Sequence, residues 1–298
     1  MSNVADEDLA LFARGKHPDL WNLLGAHPIH RDGSDGVRFA LWAPFARHVA
    51  IAGDFNDWEP KSAPMSLVDA TGVWSAFVEG AKAGHLYKFE VTGPDGDAVL
   101  KADPFARASE RPPRTASVIT QSSYAWGDAD WMERRATTDT LTSPMSIYEC
   151  HLGSWRHNGS GEPLSYREVA PLLSTYLLDL GFTHIEFMPL AEHPFRGSWG
   201  YQSSSYFAPT ARFGNPDDLR YLIDHLHRCG IGVIFDWVPG HFPRDDFALA
   251  RFDGTALYEY DDPRRGESPD WGTYLFDLTK PQVRNFLIAN ALYWLEEF

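Results

Sequence analysis

Asp236 and His241 are the residues of this 298-residue chain whose types and spacing suggest chemistry. They follow Ile231, Val233, Ile234 and Phe235, a run apolar enough to be a strand covered on both faces. A carboxylate at the end of such a strand emerges at the rim of a buried sheet, and an imidazole five residues on can share its ligand. One reading makes Asp236 a turn cap or the partner of Arg244; the other makes it a sugar-binding or catalytic carboxylate. On these residues alone the two stand even. A metal site needs more donors than one Asp and one His, and the chain carries neither an HExxH motif nor paired CxxC motifs. Walker and Rossmann glycine runs are missing as well, so no metal, nucleotide or other cofactor is expected. Glu149, Glu186 and Glu192 also stand at strand ends, but no motif surrounds them and structural roles are expected.

These residues must be positioned by strand–helix alternation. Residues 146–150 read as a short apolar strand. Ser165-Tyr166-Arg167-Glu168 is a capping box, stapled by Leu164 and Val169, and opens a helix that Pro171 must kink or delay. Residues 183–188 give a second strand. Asn215-Pro216-Asp217-Asp218 then caps a helix whose apolar face is Leu219, Leu222, Ile223 and Leu226. The strand before Asp236 is the third, and a third helix starts at Thr279-Lys280-Pro281-Gln282, again box-like. Such repeats imply a parallel sheet, with doubly wound and barrel folds both open. In either, ligands meet the loops at the carboxyl ends of the strands. The loops over 189–214, containing Ser198-Trp199-Gly200-Tyr201-Gln202, and over 237–279 far exceed the usual ~2–6 residues.

Ahead of this part the pattern differs. Residues 1–35 are mostly polar and read as an N-terminal extension. From there Val37, Phe39 and Leu41 alternate with Arg38, Ala40 and Trp42, a half-buried strand. Further short strands separated by turn signals predict an antiparallel, immunoglobulin-like β-sandwich over 36–120. Residues 121–143 carry little periodicity and read as a linker to the strand–helix part, 144–298.

Composition narrows the ligand. With 26 Lys+Arg against 41 Asp+Glu the net charge is −15, which argues against nucleic acid as partner. The 11 Trp, 12 Tyr and 19 Phe suit the C–H faces of sugars, although most must serve the core. Cys150 and Cys229 are too few for a disulfide framework and are expected as buried free thiols in a reducing compartment. The N-terminus is acidic, and no apolar stretch nears the ~18 residues of a membrane span. A cytoplasmic location without a membrane partner is the expectation.

Gly200-Tyr201-Gln202, the run from Tyr206 to Gly214 and Asp236-Trp237-Val238-Pro239-Gly240-His241-Phe242 resemble the α-amylase superfamily, specifically the bacterial glycogen branching enzymes. The resemblance implies a (β/α)8 TIM barrel, of which three β/α units are present. It implies that Asp236 and His241 bind hydroxyls of the reacting glucose ring and that Tyr201 stacks beneath it. Gly53-Asp54-Phe55-Asn56-Asp57-Trp58 and His85-Leu86-Tyr87-Lys88-Phe89 are similar to the glucan-binding module of these enzymes and of the AMP-activated kinase β subunit. There Trp58 would stack on glucan and Lys88 would hydrogen-bond it, while the module's second stacking Trp has no counterpart at 93–97. For Trp58, sugar contact and packing between domains stand equal. The implied activity is 1,4-α-glucan branching by a retaining mechanism, with an Asp nucleophile and a Glu acid/base. No block of the nucleophile type occurs here, so both are expected beyond Phe298, and the chain by itself is expected to be an inactive N-terminal fragment. Two alternatives are a non-catalytic glucan-binding fragment and another superfamily glycosidase of isoamylase or trehalohydrolase type. Leu287, Trp294 and Leu295 are expected to face strands outside the chain.

Overall fold

The computed structural model describes residues 5–139 and 141–298. It opens with helices α1 (Asp6–Ala13) and α2 (Leu20–Leu23). Eight strands follow: β1 (Gly25–Arg31), β2 (Ser34–Trp42), β3 (His48–Gly53), β4 (Ser66–Leu67), β5 (Val73–Glu79), β6 (Leu86–Thr92), β7 (Ala98–Lys101) and β8 (Ser117–Val118). They form two antiparallel sheets, β1-β2-β5-β4 and β3-β6-β7 with β8 on β6. Phe39 of one sheet meets Tyr87 and Phe89 of the other edge-on, at centroid distances of 5.1 and 6.3 Å, as ring quadrupoles prefer.

The sandwich starts earlier than residue 36. Gly25 pairs with Ala40 and Arg31 with Ser34, so β1 lies inside the expected extension. Asp32 and Gly33 both take positive φ, as a two-residue turn matched to the strand twist requires. β1 shows no alternation because it is an edge strand of mostly half-buried residues with Pro28 within it. A second correction concerns β2, which is covered on both faces rather than one. Arg38 is buried, and its guanidinium donates to Asn22 O at 2.8 Å and Leu23 O at 2.7 Å, satisfying carbonyls at the end of α2. Trp42 packs edge-on against Phe12 and Tyr258. The outer face of β2 is therefore an internal surface of the molecule.

The rest comprises α3 (Ala129–Thr137), β9 (Ile147–Cys150), α4 (Leu152–Trp155), α5 (Tyr166–Leu180), β10 (His184–Phe187), β11 (Ala191–Glu192), β12 (Ser205–Pro209), α6 (Pro216–Arg228), β13 (Gly232–Phe235), β14 (His241–Phe242), α7 (Pro263–Gly266), β15 (Glu267–Ser268), β16 (Thr273–Leu275) and α8 (Pro281–Glu297). β9, β10 and β13 make a parallel sheet in the order β13-β10-β9, with α5 and α6 as crossovers. Both helices carry full capping boxes, at Ser165 and Asn215. α5 begins at Tyr166, so Pro171 does not delay it. Val169, Leu173, Leu177, Leu219, Leu222 and Leu226 bury one sheet face together with Ile185 and Phe187.

Three further expectations change. The segment 121–143 is no free linker: α3 lies within it, and Trp131 stacks on the His227 imidazole at 5.0 Å and 16°. Asp224 accepts from the Tyr124 hydroxyl and from Gly127 N, at 2.9 and 2.8 Å. These contacts are polar and α3 has no buried residue, so no apolar stripe announces it. α8 is not box-capped: its N-cap is Lys280, while the Thr279 hydroxyl turns back to Asp277. Leu287 is buried in a core that joins the sandwich to α8, whereas Leu295 is 77% exposed and Trp294 half-buried. Cys150 is buried, burial pushing its thiol up to about 12, and Cys229 is half-buried; both are free. Among the described residues no helix is long and apolar enough to cross a membrane.

Replacing Asn215 by Ala removes the cap from a helix that one parallel strand needs as its cover. A cost of about 1 kcal/mol is expected, read as a lower urea midpoint with an unchanged slope.

Candidate functional site

Cys150, Phe187 and Phe235 lie in one row across the parallel sheet, so the chain leaves all three strands at the same end. The ladder runs one residue further: Met188 N donates to Cys150 O and Asp236 N to Phe187 O, each at 3.1 Å. Asp236 is thus fixed by backbone bonds just past the sheet, with a half-buried side chain.

The long loop after β10 brings Tyr201 to it. Gly200 has φ +98°, and a Cβ there would stand 2.2 Å from Pro189 O, so only glycine lets the chain pass that close. The Tyr201 hydroxyl donates to Asp236 Oδ2 at 2.5 Å. This bond is the main reason the phenol is pushed up to about 12, followed by burial and the negative charges of Asp236, Glu149 and Glu186. Arg244 is not the partner of Asp236; it pairs with Glu267 at 3.0 Å.

His241 sits on β14, and its carbonyl accepts from the Tyr206 hydroxyl at 2.8 Å. Its Nδ1 is buried without a partner among the described residues, and burial lowers its pKa. The imidazole is therefore neutral at neutral pH, able to donate at one nitrogen and accept at the other. Trp271, in the turn between β15 and β16, lies 4.9 Å from it with its ring 63% exposed. Gln202 Nε2 reaches the Trp271 carbonyl at 3.5 Å. On the far side the Trp237 indole donates to Asn290 Oδ1 at 2.9 Å, and Asn290 Nδ2 donates to Tyr206 O at 2.7 Å. Exposed Phe195 and Trp199 continue the aromatic rim. Trp271 and Asn290 are not singled out by sequence reading; the only signal is a Pro-Asp-Trp-Gly turn inside a long loop.

The other carboxylates separate by position. Glu149 and Glu186 are paired in register one row below the strand ends. Glu192 is buried, accepting from Arg212 Nη1 at 2.5 Å, Ala211 N and His193 N at 2.8 Å and Thr210 Oγ1 at 3.1 Å. Such a filled acceptor set is a structural carboxylate, holding β11 to the chain after β12. Among the described residues no group of three or more His, Cys, Asp and Glu is placed to hold a metal ion.

Trp58 and Lys88 do not share an environment. Trp58 follows Asp57 in the left-handed region, at φ +61° and +51°, and its ring is 38% exposed with the indole donating to Asp54 at 3.1 Å. It belongs to neither hydrophobic core. Lys88 turns inward: its ammonium donates to Thr115 Oγ1 at 2.6 Å and lies 5.7 Å from the Phe247 ring centre.

Asp236→Asn keeps an acceptor for Tyr201 but removes the charge. The Tyr201 phenol, titrated by ultraviolet difference spectra against Tyr201→Phe, is expected to fall from about 12 toward its ordinary value. An unchanged midpoint would contradict the Tyr201–Asp236 coupling.

Two family models match the chain: "Carbohydrate-binding module 48 (Isoamylase N-terminal domain)" over residues 23–106 and "Alpha amylase, catalytic domain" over 173–261. The 1,4-alpha-glucan branching enzymes GlgB of Rhodococcus jostii and Marinobacter nauticus are 56% and 55% identical, over 100% and 99% of this chain. The chain spans 41% and 47% of their length. A crystal structure from Salmonella typhimurium, assigned as an alpha amylase, superposes with a TM-score of 0.70 at 27% identity, covering 92% of this chain and 42% of that one. With a carbohydrate-binding module 48 running into the start of an alpha amylase catalytic domain, this chain belongs to the family of the GlgB branching enzymes and matches their N-terminal part.

Proposed function

We propose that this chain supplies the sugar-positioning part of a 1,4-α-glucan branching enzyme acting on glycogen-like α-glucans in the cytoplasm. The observation that carries the reading is the Tyr201–Asp236 pair at the carboxyl end of a parallel sheet, with His241 connected to it through Trp271 and Gln202. A phenol ring offers a flat face to a sugar, and a carboxylate and a neutral imidazole accept and donate to its hydroxyls. None of the three is set up to attack: the phenol is held protonated, and Asp236 is engaged by it. The retaining reaction needs a nucleophilic Asp and an acid/base Glu about 5–5.5 Å apart. In this reading both come from the larger part of the relatives that the chain does not match. The chain alone then binds without turnover.

The same reading makes β9, β10 and β13 the first three strands of a (β/α)8 barrel, with the sandwich over about 25–120 and the catalytic part from about 144. Support comes from the free edge of β13, which borders a groove of about 510 Å³ lined by Val233, Phe235, Trp294, Leu295 and Phe298. A further strand would cover these apolar groups and pair that edge.

In the full-length protein Asp236→Ala is expected to abolish formation of α-1,6 branches, counted by linkage analysis of the product. Near-normal branching would sink the assignment, and release of free sugars would favour a superfamily hydrolase. Trp58→Ala is expected to weaken co-sedimentation of this chain with glycogen. If glycogen binding is unchanged, the strained turn at Trp58 is not a glucan contact.

A further inference from the structure

Lys101, the last residue of β7, is 3% exposed. Its Nζ donates to Asp246 O at 2.5 Å and to Ala250 O at 2.7 Å, and the next residue's Ala102 N donates to Phe247 O at 2.7 Å. Three carbonyls of one turn in the loop after β13 are thus held by the sandwich. Other contacts converge on this seam: Phe45 N donates to Asp253 Oδ2 at 3.1 Å, and the Phe252 ring centre lies 5.9 Å from Lys101 Nζ. Burial pushes the Lys101 pKa down to about 8, with Asp246, Glu259 and Asp253 pulling it back.

A buried ammonium is a costly device where filling space would do, because an apolar side chain of similar length avoids its desolvation. What the ammonium adds is direction, since it must meet its carbonyl partners to be buried at all. The turn it holds begins five residues after His241 on the same chain. Strand β14 is only two residues long, pairing His241 with Leu275 and Phe242 with Tyr274. So short a strand takes its position from whatever fixes the chain around it.

We propose that Lys101 is a positioning residue for the glucan site, setting through the carbonyls of Asp246 and Ala250 the placement of the loop that carries His241. This rests on the reading of Tyr201, Asp236 and His241 as sugar ligands. The test is a double-mutant cycle in the full-length protein, with Lys101→Met and His241→Ala. Lys101→Met is expected to lower kcat for α-1,6 branch formation about tenfold or more with KM little changed, as misplacement of a binding group does. On the His241→Ala background it should cause no further loss. An equal loss in both backgrounds, or a folded Lys101→Met protein with normal kcat, overturns the proposal. Lys101→Arg keeps a charged donor, and a smaller loss with the same dependence on His241 is expected; the cycle can be run with it if Lys101→Met does not fold. Full activity in His241→Ala alone would instead overturn the reading of the site.

Discussion

The hydrogen bond from the Tyr201 hydroxyl to the Asp236 carboxylate ties the loop after β10 to the end of β13, and Gln202–Trp271 and Tyr206–His241 bonds link the same two stretches of chain. Asp236 is placed by the sheet, one residue past a row of three strand ends. Tyr201 is placed by a loop of irregular backbone that has to fold back over Pro189 at Gly200. The bond makes each a constraint on the other, and it is the main reason the phenol's pKa is raised. Gln202 follows Tyr201 and touches the Trp271 turn, and Trp271 in turn walls His241.

The seam between sandwich and sheet is equally unlike a linker. One core runs from Trp21 and Phe39 through Phe207, Phe286 and Tyr293. Phe105 bridges the halves, 4.8 Å from Phe207 and 5.4 Å from Phe286. Trp21–Tyr293 and Trp42–Tyr258 also cross between the halves, both edge-to-face. Of the rings left exposed, Phe195, Trp199, Trp237 and Trp271 lie on the loops at the strand ends, while Phe45, Trp58 and Trp126 lie elsewhere.

What the sequence reveals and hides follows from this. The end of β13 is readable because an apolar run closing on Asp records burial and exit together. Capping boxes at Ser165 and Asn215 are readable because they are local chemistry, satisfied within four residues. Coverage by distant chain leaves no such record. The alternation in β2 identifies the strand but not the second layer over Arg38 and Trp42, because the helices and loop that cover it lie elsewhere in sequence. Thr279 looks like a cap but turns back to Asp277, and α3 is held through one imidazole, His227, by the Trp131 stack and its N-cap Asp128, contacts that carry no period. Trp58 and Lys88 come from two motifs of the same resemblance, yet only Lys88 turns inward, to Thr115 and the Phe247 ring.

Charge gives the rim its direction. Asp236 follows Ile234 by two residues, so along an extended chain it faces the same side as Ile234 and its row partner Glu186, about 6.6 Å further up. Glu149 is the next member of that row. The two glutamates lie below Asp236 rather than beside it, which suits them to shape a field and not to flank a scissile bond. Both help to raise the Tyr201 phenol. In the retaining reaction proposed for the complete protein, the reacting sugar ring gathers positive charge on the way to the glycosyl-enzyme. A floor of carboxylates fixed by strand register meets it without reorganisation, the condition under which electrostatic stabilisation is strongest. On the proposed function, this register matches the binding half of the site to the charge of the transition state as well as to the hydroxyls of the substrate.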